Sequence, residues 1–105
     1  MTNERPKWGW ANPEFAYAIR LRTEEVIRNL DPIGLLATGC PPDEYDGEIN
    51  HIVAKLVMYR SAPPVDELRS LLRDTFVKAF DDRIAGPASA YSEAAAAIAN
   101  LWTDD

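Results

Sequence analysis

The residues of this chain with the clearest potential for chemistry are Glu48 and His51, which form a Glu-x-x-His step. On a helix, residues three apart lie on one face, and this step holds metal ions in carboxylate-bridged two-metal bundles. Such a bundle needs a second step of the same kind, and the chain has a single histidine. The sequence therefore excludes a two-metal site. A single metal ion on Glu44, Glu48 and His51 stays open, and the alternative is a solvated histidine beside a glutamate.

Cys40 is the second candidate, because a thiolate can act as a nucleophile. It is the only cysteine, so it can form neither an internal disulfide nor a cysteine-based zinc site. A catalytic thiol would need a base, and His51 is the only histidine available. We interpret Cys40 instead as a small apolar residue that fills a loop. The sequence therefore identifies no catalytic residue, no cofactor and no structural metal.

The third candidate is a cluster of acids, namely Asp43, Glu44, Asp46 and Glu48. It belongs to a stretch, residues 29–54, that carries five acids and no lysine or arginine. One interpretation is a helix start, with Asp43 as the N-cap and Asp46 in the first turn, where the helix dipole favours negative charge. A helix start does not require Glu48 as well, so the second interpretation is a surface that binds a partner. Both stay open, and we take these four acids as the candidate partner-binding residues.

The overall charge narrows the class of partner. The formal net charge is −6, which disfavours binding to nucleic-acid phosphates and is compatible with a basic protein partner. No stretch of about 18 apolar residues predicts a membrane span, and no secretory signal is present. We therefore expect a cytoplasmic protein with no membrane partner. The oligomeric state does not follow from the sequence.

Amphipathic helices supply the framework that positions these candidates. With 105 residues and 47% hydrophobic content, we predict a single all-α domain over residues 1–105, with 1–11 as a partly loose lead. Apolar residues at helical spacing predict four helices, at about 13–30, 44–59, 65–80 and 87–102, with a turn at 81–86. A long apolar and acidic loop joins helices 1 and 2. The predicted core residues are Phe15, Ile19, Val26 and Leu30; Tyr45, Ile49, Ile52, Leu56 and Tyr59; Leu68, Leu72, Phe76 and Ala79; and Tyr91, Ala95, Ile98 and Trp102.

Three residues do not fit this simple pattern. Gly47 weakens helix 2 relative to alanine, and we expect it there because another backbone comes close. Tyr17 and Leu21 fall on the side of helix 1 away from its core stripe. We expect the tryptophans of the lead to cover them, and the alternative is an exposed patch that binds a partner.

One segment resembles a known pattern. The sequence Asp-Pro-Ile-Gly at 31–34, followed by Asp-Glu-Tyr-Asp at 43–46 and by Glu48 and Ile49, resembles a signature of a family of small all-helical bacterial proteins of unknown function. The resemblance covers roughly residues 25–57. It implies a compact helical domain and supplies no catalytic residues. Immunity proteins, which neutralise toxins, are similar in being small, acidic and bacterial, and this likeness is an analogy.

Three functional hypotheses follow from the sequence. The first is a protein-interaction module, most concretely an immunity-type inhibitor of a basic bacterial toxin. The second is a small enzyme that uses His51 with Glu48 and Asp43, and with Cys40 as a further candidate. The third is a self-associating subunit that buries Tyr17, Leu21 or the tryptophans.

Overall fold

A computed structural model describes residues 11–32, 34–35 and 37–103. Within them it has five α-helices and no strand: α1 Pro13–Leu30, α2 Asp46–Leu56, α3 Val65–Ala79, α4 Asp82–Ala85 and α5 Ser92–Thr103. Short 3₁₀ turns, Pro42–Tyr45 and Ala88–Tyr91, precede α2 and α5. The all-α prediction is confirmed. The expectation for residues 1–11 lies outside the described residues, except for Ala11.

The structure differs from the predicted four-helix arrangement at four places. The short helix α4 lies in the segment predicted as a turn. The segments predicted as helices 2 and 4 each begin with a 3₁₀ turn, and α2 ends three residues early, at Leu56. Both 3₁₀ turns start at or directly after a proline, which lacks the N–H group that an α-helical ladder needs. The hydrophobic pattern locates a helical segment but does not separate these tighter turns from α-helix.

The two ends of α1 are defined by side chains. At the start, Asn12 Oδ1 accepts the backbone N–H groups of Glu14 (3.1 Å) and Phe15 (3.3 Å), as expected for an N-cap. At the end, Asp31 adopts a left-handed backbone conformation with φ 46°. An extended conformation is the usual outcome before a proline. Asp31 tolerates the left-handed one because its short carboxylate makes local hydrogen bonds.

The core lies where α1, α2, α3 and α5 meet. Helix α1 packs against α2 and α5, and α3 packs against the same two helices. Most of the predicted core positions are buried; Val26, Leu30 and Tyr59 are half-buried, and Ala79 is exposed. On α1 the buried row continues through Thr23, whose hydroxyl has no hydrogen-bond partner within the described residues.

Aromatic contacts connect the helices at the centre of this core. The Phe76 ring lies edge-on to Tyr45, with ring centroids 5.7 Å apart, and stacks on Tyr91 at 6.1 Å. At the other end, Phe15 of α1 meets Trp102 of α5 edge-on at 5.2 Å. The start of α1 therefore lies beside the end of α5, and the two helices run antiparallel.

The Tyr91 hydroxyl should make stability depend on pH in the alkaline range. It donates a 2.6 Å hydrogen bond to the Ala85 carbonyl. Burial raises the pKa of Tyr91 above its ordinary value of 10.0, against a smaller opposing effect of Arg73. The unfolded chain therefore loses this proton at a lower pH than the folded chain, so this contribution to stability is complete below pH 10 and is lost as pH rises through the folded pKa.

The Tyr91→Phe variant isolates this effect. Near neutral pH it should be less stable by about 1 kcal/mol, because the Ala85 carbonyl loses its donor. Above pH 10 the difference between the two proteins should shrink, since phenylalanine does not ionise. Urea denaturation of both proteins from neutral pH to about pH 11 measures the difference. A difference that stays constant over this range would contradict the assignment.

Candidate functional site

The loop before α2 is held in place by a hydrogen-bond network around a buried tyrosine. Tyr45 is completely buried, and its hydroxyl donates to Asp31 Oδ1 at 2.6 Å. The same hydroxyl accepts the Leu35 backbone N–H at 3.3 Å, and Asp31 Oδ2 accepts the Ala37 N–H at 3.0 Å. Asp31 and Tyr45 thereby fix both ends of the loop against α1. This fixes the position of the acids that flank Tyr45.

We use the name acidic segment for Asp43, Glu44, Asp46 and Glu48. Asp43, Glu44 and Asp46 are exposed, and Glu48 is half-buried. The prediction that Asp43 caps α2 is wrong, because the cap position of α2 is Tyr45 and that of the preceding 3₁₀ turn is Pro41, and neither makes a side-chain cap bond. Because of the 3₁₀ turn, α2 begins at Asp46, two residues later than a helix with Asp43 as its N-cap would begin.

The four acids differ in how far their charge is offset. Asp46 Oδ1 lies 3.3 Å from the Arg28 guanidinium, which also pairs with Glu24 at 3.7 Å. Asp43, Glu44 and Glu48 make no ion pair and no side-chain hydrogen bond with the described residues. Three negative charges of the acidic segment are therefore uncompensated within that part of the protein.

Glu48 and His51 line an open groove between α2 and α3, with a volume of about 240 Å³. Its other lining residues are Gly47, Thr75, Lys78 and Ala79. The Thr75 hydroxyl is engaged, since it donates to the Leu71 carbonyl at 2.8 Å. The ammonium of Lys78 in the same groove opposes the binding of a cation there.

One expectation about this region is wrong, and one open alternative finds no support. Outside its own helix and its chain neighbours, no described atom lies within 4 Å of the position that a Cβ atom at Gly47 would occupy, so no other described backbone comes close to this glycine. Glu44, Glu48 and His51 do not assemble a metal site, because the described part of the chain holds no group of three such ligands in suitable positions. The side chains of these three residues do not meet at one point, because Glu44 belongs to the 3₁₀ turn, whereas Glu48 and His51 belong to α2.

Cys40 lies half-buried in the loop, and its thiol contacts a hydroxyl instead of a base. The Sγ atom is 3.9 Å from Thr38 Oγ1, and the Cys40 N–H donates to the Leu35 carbonyl at 3.0 Å. No hydrogen bond joins Cys40 to His51 in the described chain. The thiol–imidazole pair of the enzyme hypothesis is therefore not formed.

The outer side of α1 carries two exposed apolar side chains. Tyr17 is 63% exposed and Leu21 is 47% exposed. The tryptophans expected to cover them, Trp8 and Trp10, lie outside the described residues. The alternative for these two residues, a surface that binds a partner, stays a prediction.

Sequence reasoning missed the cations that α1 brings to α2. Arg28 reaches Asp46, and Arg20 donates a 2.6 Å hydrogen bond to Asn50. Arg20, Glu24 and Arg28 follow at i, i+4 and i+8, and both arginines pair with Glu24. This repeat marks one face of α1, but it does not say which helix that face contacts. The acidic character of residues 29–54 along the chain is therefore partly offset in space.

Comparison with protein-family models, with curated proteins and with solved structures finds no match to this chain. The resemblance around residues 25–57 therefore stays a prediction. Among the described helices, none combines the length and the apolar character needed to cross a membrane.

Proposed function

We propose that this protein is a small acidic cytoplasmic module that acts by binding a basic protein partner. The acidic segment supplies the main electrostatic contact. The observation that supports the proposal is the state of its carboxylates: Asp43, Glu44 and Glu48 cap no helix and pair with no cation of the described chain. The helix-start explanation is thereby weakened for the cap position, whereas Asp46 and Glu48 do lie in the first turn of α2, where the helix dipole favours them.

The charges that contribute most are those of Asp43, Glu44 and Glu48, which no cation of the described chain offsets. Asp46 contributes less, because Arg28 already offsets its charge at 3.3 Å. Exposed charges of one sign speed up encounter with an oppositely charged protein and select against like-charged ones. They add less to the final affinity, since they remain screened by salt and water.

The most concrete form of the proposal is an immunity-type inhibitor of a basic bacterial toxin. An inhibitor of this kind must reach its target before the target acts, so a fast, electrostatically assisted association is a functional advantage. The net charge of −6 and the 105-residue chain are consistent with this role. A gene for a basic toxin beside the gene for this protein would support it.

A second candidate function, self-association, is favoured by one observation. Tyr17 and Leu21 are exposed on the outer side of α1, where a second copy could cover them. Sedimentation at several protein concentrations distinguishes the two functions, because only self-association makes the mass depend on concentration. No specific observation favours the hypothesis of a small enzyme that uses His51, Glu48, Asp43 and Cys40.

Replacing Glu44 and Glu48 together with glutamine should slow association with the native partner. The partner is first captured from cell extract with the intact protein and identified, and rates are then measured with purified components over a range of salt concentrations. At low salt we expect association to be about ten-fold slower, and the difference should vanish at high salt. The stability of the protein should be almost unchanged, since neither side chain forms an ion pair with the described residues.

The matched control removes the same charge elsewhere. Glu67 and Asp74 are exposed on α3, so Glu67→Gln with Asp74→Asn changes the net charge equally. This control should affect association much less. If the Glu44 and Glu48 variant associates at the normal rate at every salt concentration, the acidic segment is not the contact surface.

A further inference from the structure

A groove runs along the outer junction of the antiparallel helices α1 and α5. It comprises two cavities, of about 370 Å³ and about 320 Å³, each lined by residues of both helices. The first is lined by Val26, Asn29, Leu30, Glu93, Ala94 and Ala97, and the second by Ala18, Leu21, Arg22, Glu25 and Leu101. We call these together the α1/α5 groove. It is separate from the acidic segment and from the groove that holds His51.

The groove is open because α5 carries small side chains there. Ala94 and Ala97 of α5 line the groove together with Val26 and Leu30 of α1. Arg22 spans the junction of the two helices, since its guanidinium donates to the Ala97 carbonyl. The length of the groove follows from α1, because this helix rises about 18 Å from residue 18 to residue 30. This length accommodates about three turns of another helix.

The rims of the groove are negative. Glu25 and Glu93 are exposed, and neither forms an ion pair with the described residues. Arg22 is the one cation among the lining residues, and its guanidinium is engaged with the Ala97 carbonyl. An apolar floor between free carboxylates fits an occupant with an apolar face and basic flanks.

Charge also argues against the other occupants. In a symmetric dimer through this groove, the carboxylates of Glu25 and Glu93 would face those of the second copy, and like charges oppose that contact. A membrane surface rich in anionic lipid would be repelled for the same reason. A basic helix from another protein meets no such penalty.

We propose that the α1/α5 groove binds an amphipathic helix with basic flanks that belongs to the protein partner. This inference rests on the proposed function, because it assigns to the basic partner a second contact surface and a helical binding segment. The two contacts lie on opposite sides of α1. Arg28 pairs with Asp46 on the α2 side, whereas Arg22 reaches Ala97 on the α5 side. A partner that uses both therefore crosses the exposed side of α1.

The test uses the full chain and a defined peptide probe. The probe is a fluorescent synthetic helix of about fourteen residues, with leucine at helical spacing on one face and lysine on the others. A second probe replaces every lysine with glutamate. Fluorescence anisotropy gives the affinities, and amide chemical shifts of the labelled protein locate the binding site. The lysine probe should bind and shift amides of residues 18–30 and 93–101, and the glutamate probe should not bind.

Two pairs of matched variants complete the test. Glu25→Gln with Glu93→Gln should weaken binding of the lysine probe at low salt by about ten-fold, more than Glu44→Gln with Glu48→Gln, which removes the same charge from the acidic segment. Leu21→Asn should weaken binding by about five-fold at any salt. Ile84→Asn is its control, since Ile84 is 53% exposed on α4, outside the groove.

The outcomes separate this inference from the proposed function. If only the Glu44 and Glu48 variant weakens the probe, the groove is not a docking site, and the acidic segment remains the contact for a basic partner. If both charge variants weaken it equally and shifts are spread over the surface, the attraction is unspecific and the groove inference fails. Failure of the lysine probe to bind overturns it as well. None of these results bears on the association rate of the native partner, which tests the proposed function independently.

Discussion

Replacing Phe76 with alanine should lower the free energy of unfolding by about 3–5 kcal/mol. The ring is completely buried, and it contacts Tyr45, Tyr91 and Phe80, with ring centroids 5.7, 6.1 and 6.3 Å away. These three residues come from different segments, so the contacts cannot be replaced by movement of one neighbour. Truncation removes the apolar burial and leaves a cavity that the surrounding helices fill only in part.

Phe80 provides the comparison for this prediction. It is 36% exposed and stacks on one side of Phe76, so Phe80→Ala should cost much less, about 1 kcal/mol. Urea denaturation followed by circular dichroism measures both variants, with the slope of each transition as a check on two-state behaviour. Equal costs for the two substitutions would mean that the aromatic centre of the core is placed wrongly.

The position of Phe76 shows what the sequence can predict here. Its burial follows from the spacing of Leu68, Leu72 and Phe76 on α3, which is a local property of the chain. The burial of Ile49, Ile52 and Leu56 on α2 follows in the same way, and all three are fully buried. Periodicity identifies the face of a helix that is covered. It does not say what covers it, so the contacts of Phe76 with Tyr45 and Tyr91 needed the structure.

The ends of the helices show where sequence reasoning fails. Aspartate is a favoured N-cap residue, so the sequence predicts a helix that begins after Asp43. The side chain of Tyr45 is buried in the core, however, and the backbone reaches that position through a 3₁₀ turn that starts before Asp43. Burial of a tyrosine contributes more than one cap hydrogen bond, so the tertiary demand wins. The expectation for Gly47 fails for a related reason, since the surroundings of this residue depend on how the helices pack.

The candidate site was predictable only as a set of charges. The sequence shows that Asp43, Glu44, Asp46 and Glu48 are close together along the chain. Which of them keeps its charge uncompensated depends on where Arg28 of α1 lies, and that is a property of helix packing. The α1/α5 groove is still further from the sequence, because it depends on the register in which Ala97 lies beside Arg22 and Val26.

Replacing Asp31 with alanine should lower the free energy of unfolding by about 2–4 kcal/mol. The carboxylate accepts from the Tyr45 hydroxyl at 2.6 Å and from the Ala37 N–H at 3.0 Å. Alanine removes both of these bonds, including the acceptor that Asp31 provides for the Tyr45 hydroxyl. Alanine also resists the left-handed conformation of this residue, with φ 46°, whereas asparagine and aspartate tolerate it.

Asp31→Asn separates the two causes. Asparagine keeps the left-handed conformation and one acceptor oxygen, so we expect it to lose about half as much stability as alanine does. Denaturant unfolding of both variants gives the comparison, and equal losses would mean that the charge of Asp31, not its backbone conformation, stabilises the loop.

The same variants connect stability to function. Tyr45 lies between Glu44 and Asp46, so loosening its hydroxyl contact should loosen the acidic segment without removing any of its charges. Association with a basic partner should then slow in the alanine variant although Glu44 and Glu48 are intact, because a mobile segment presents the same charge with less order.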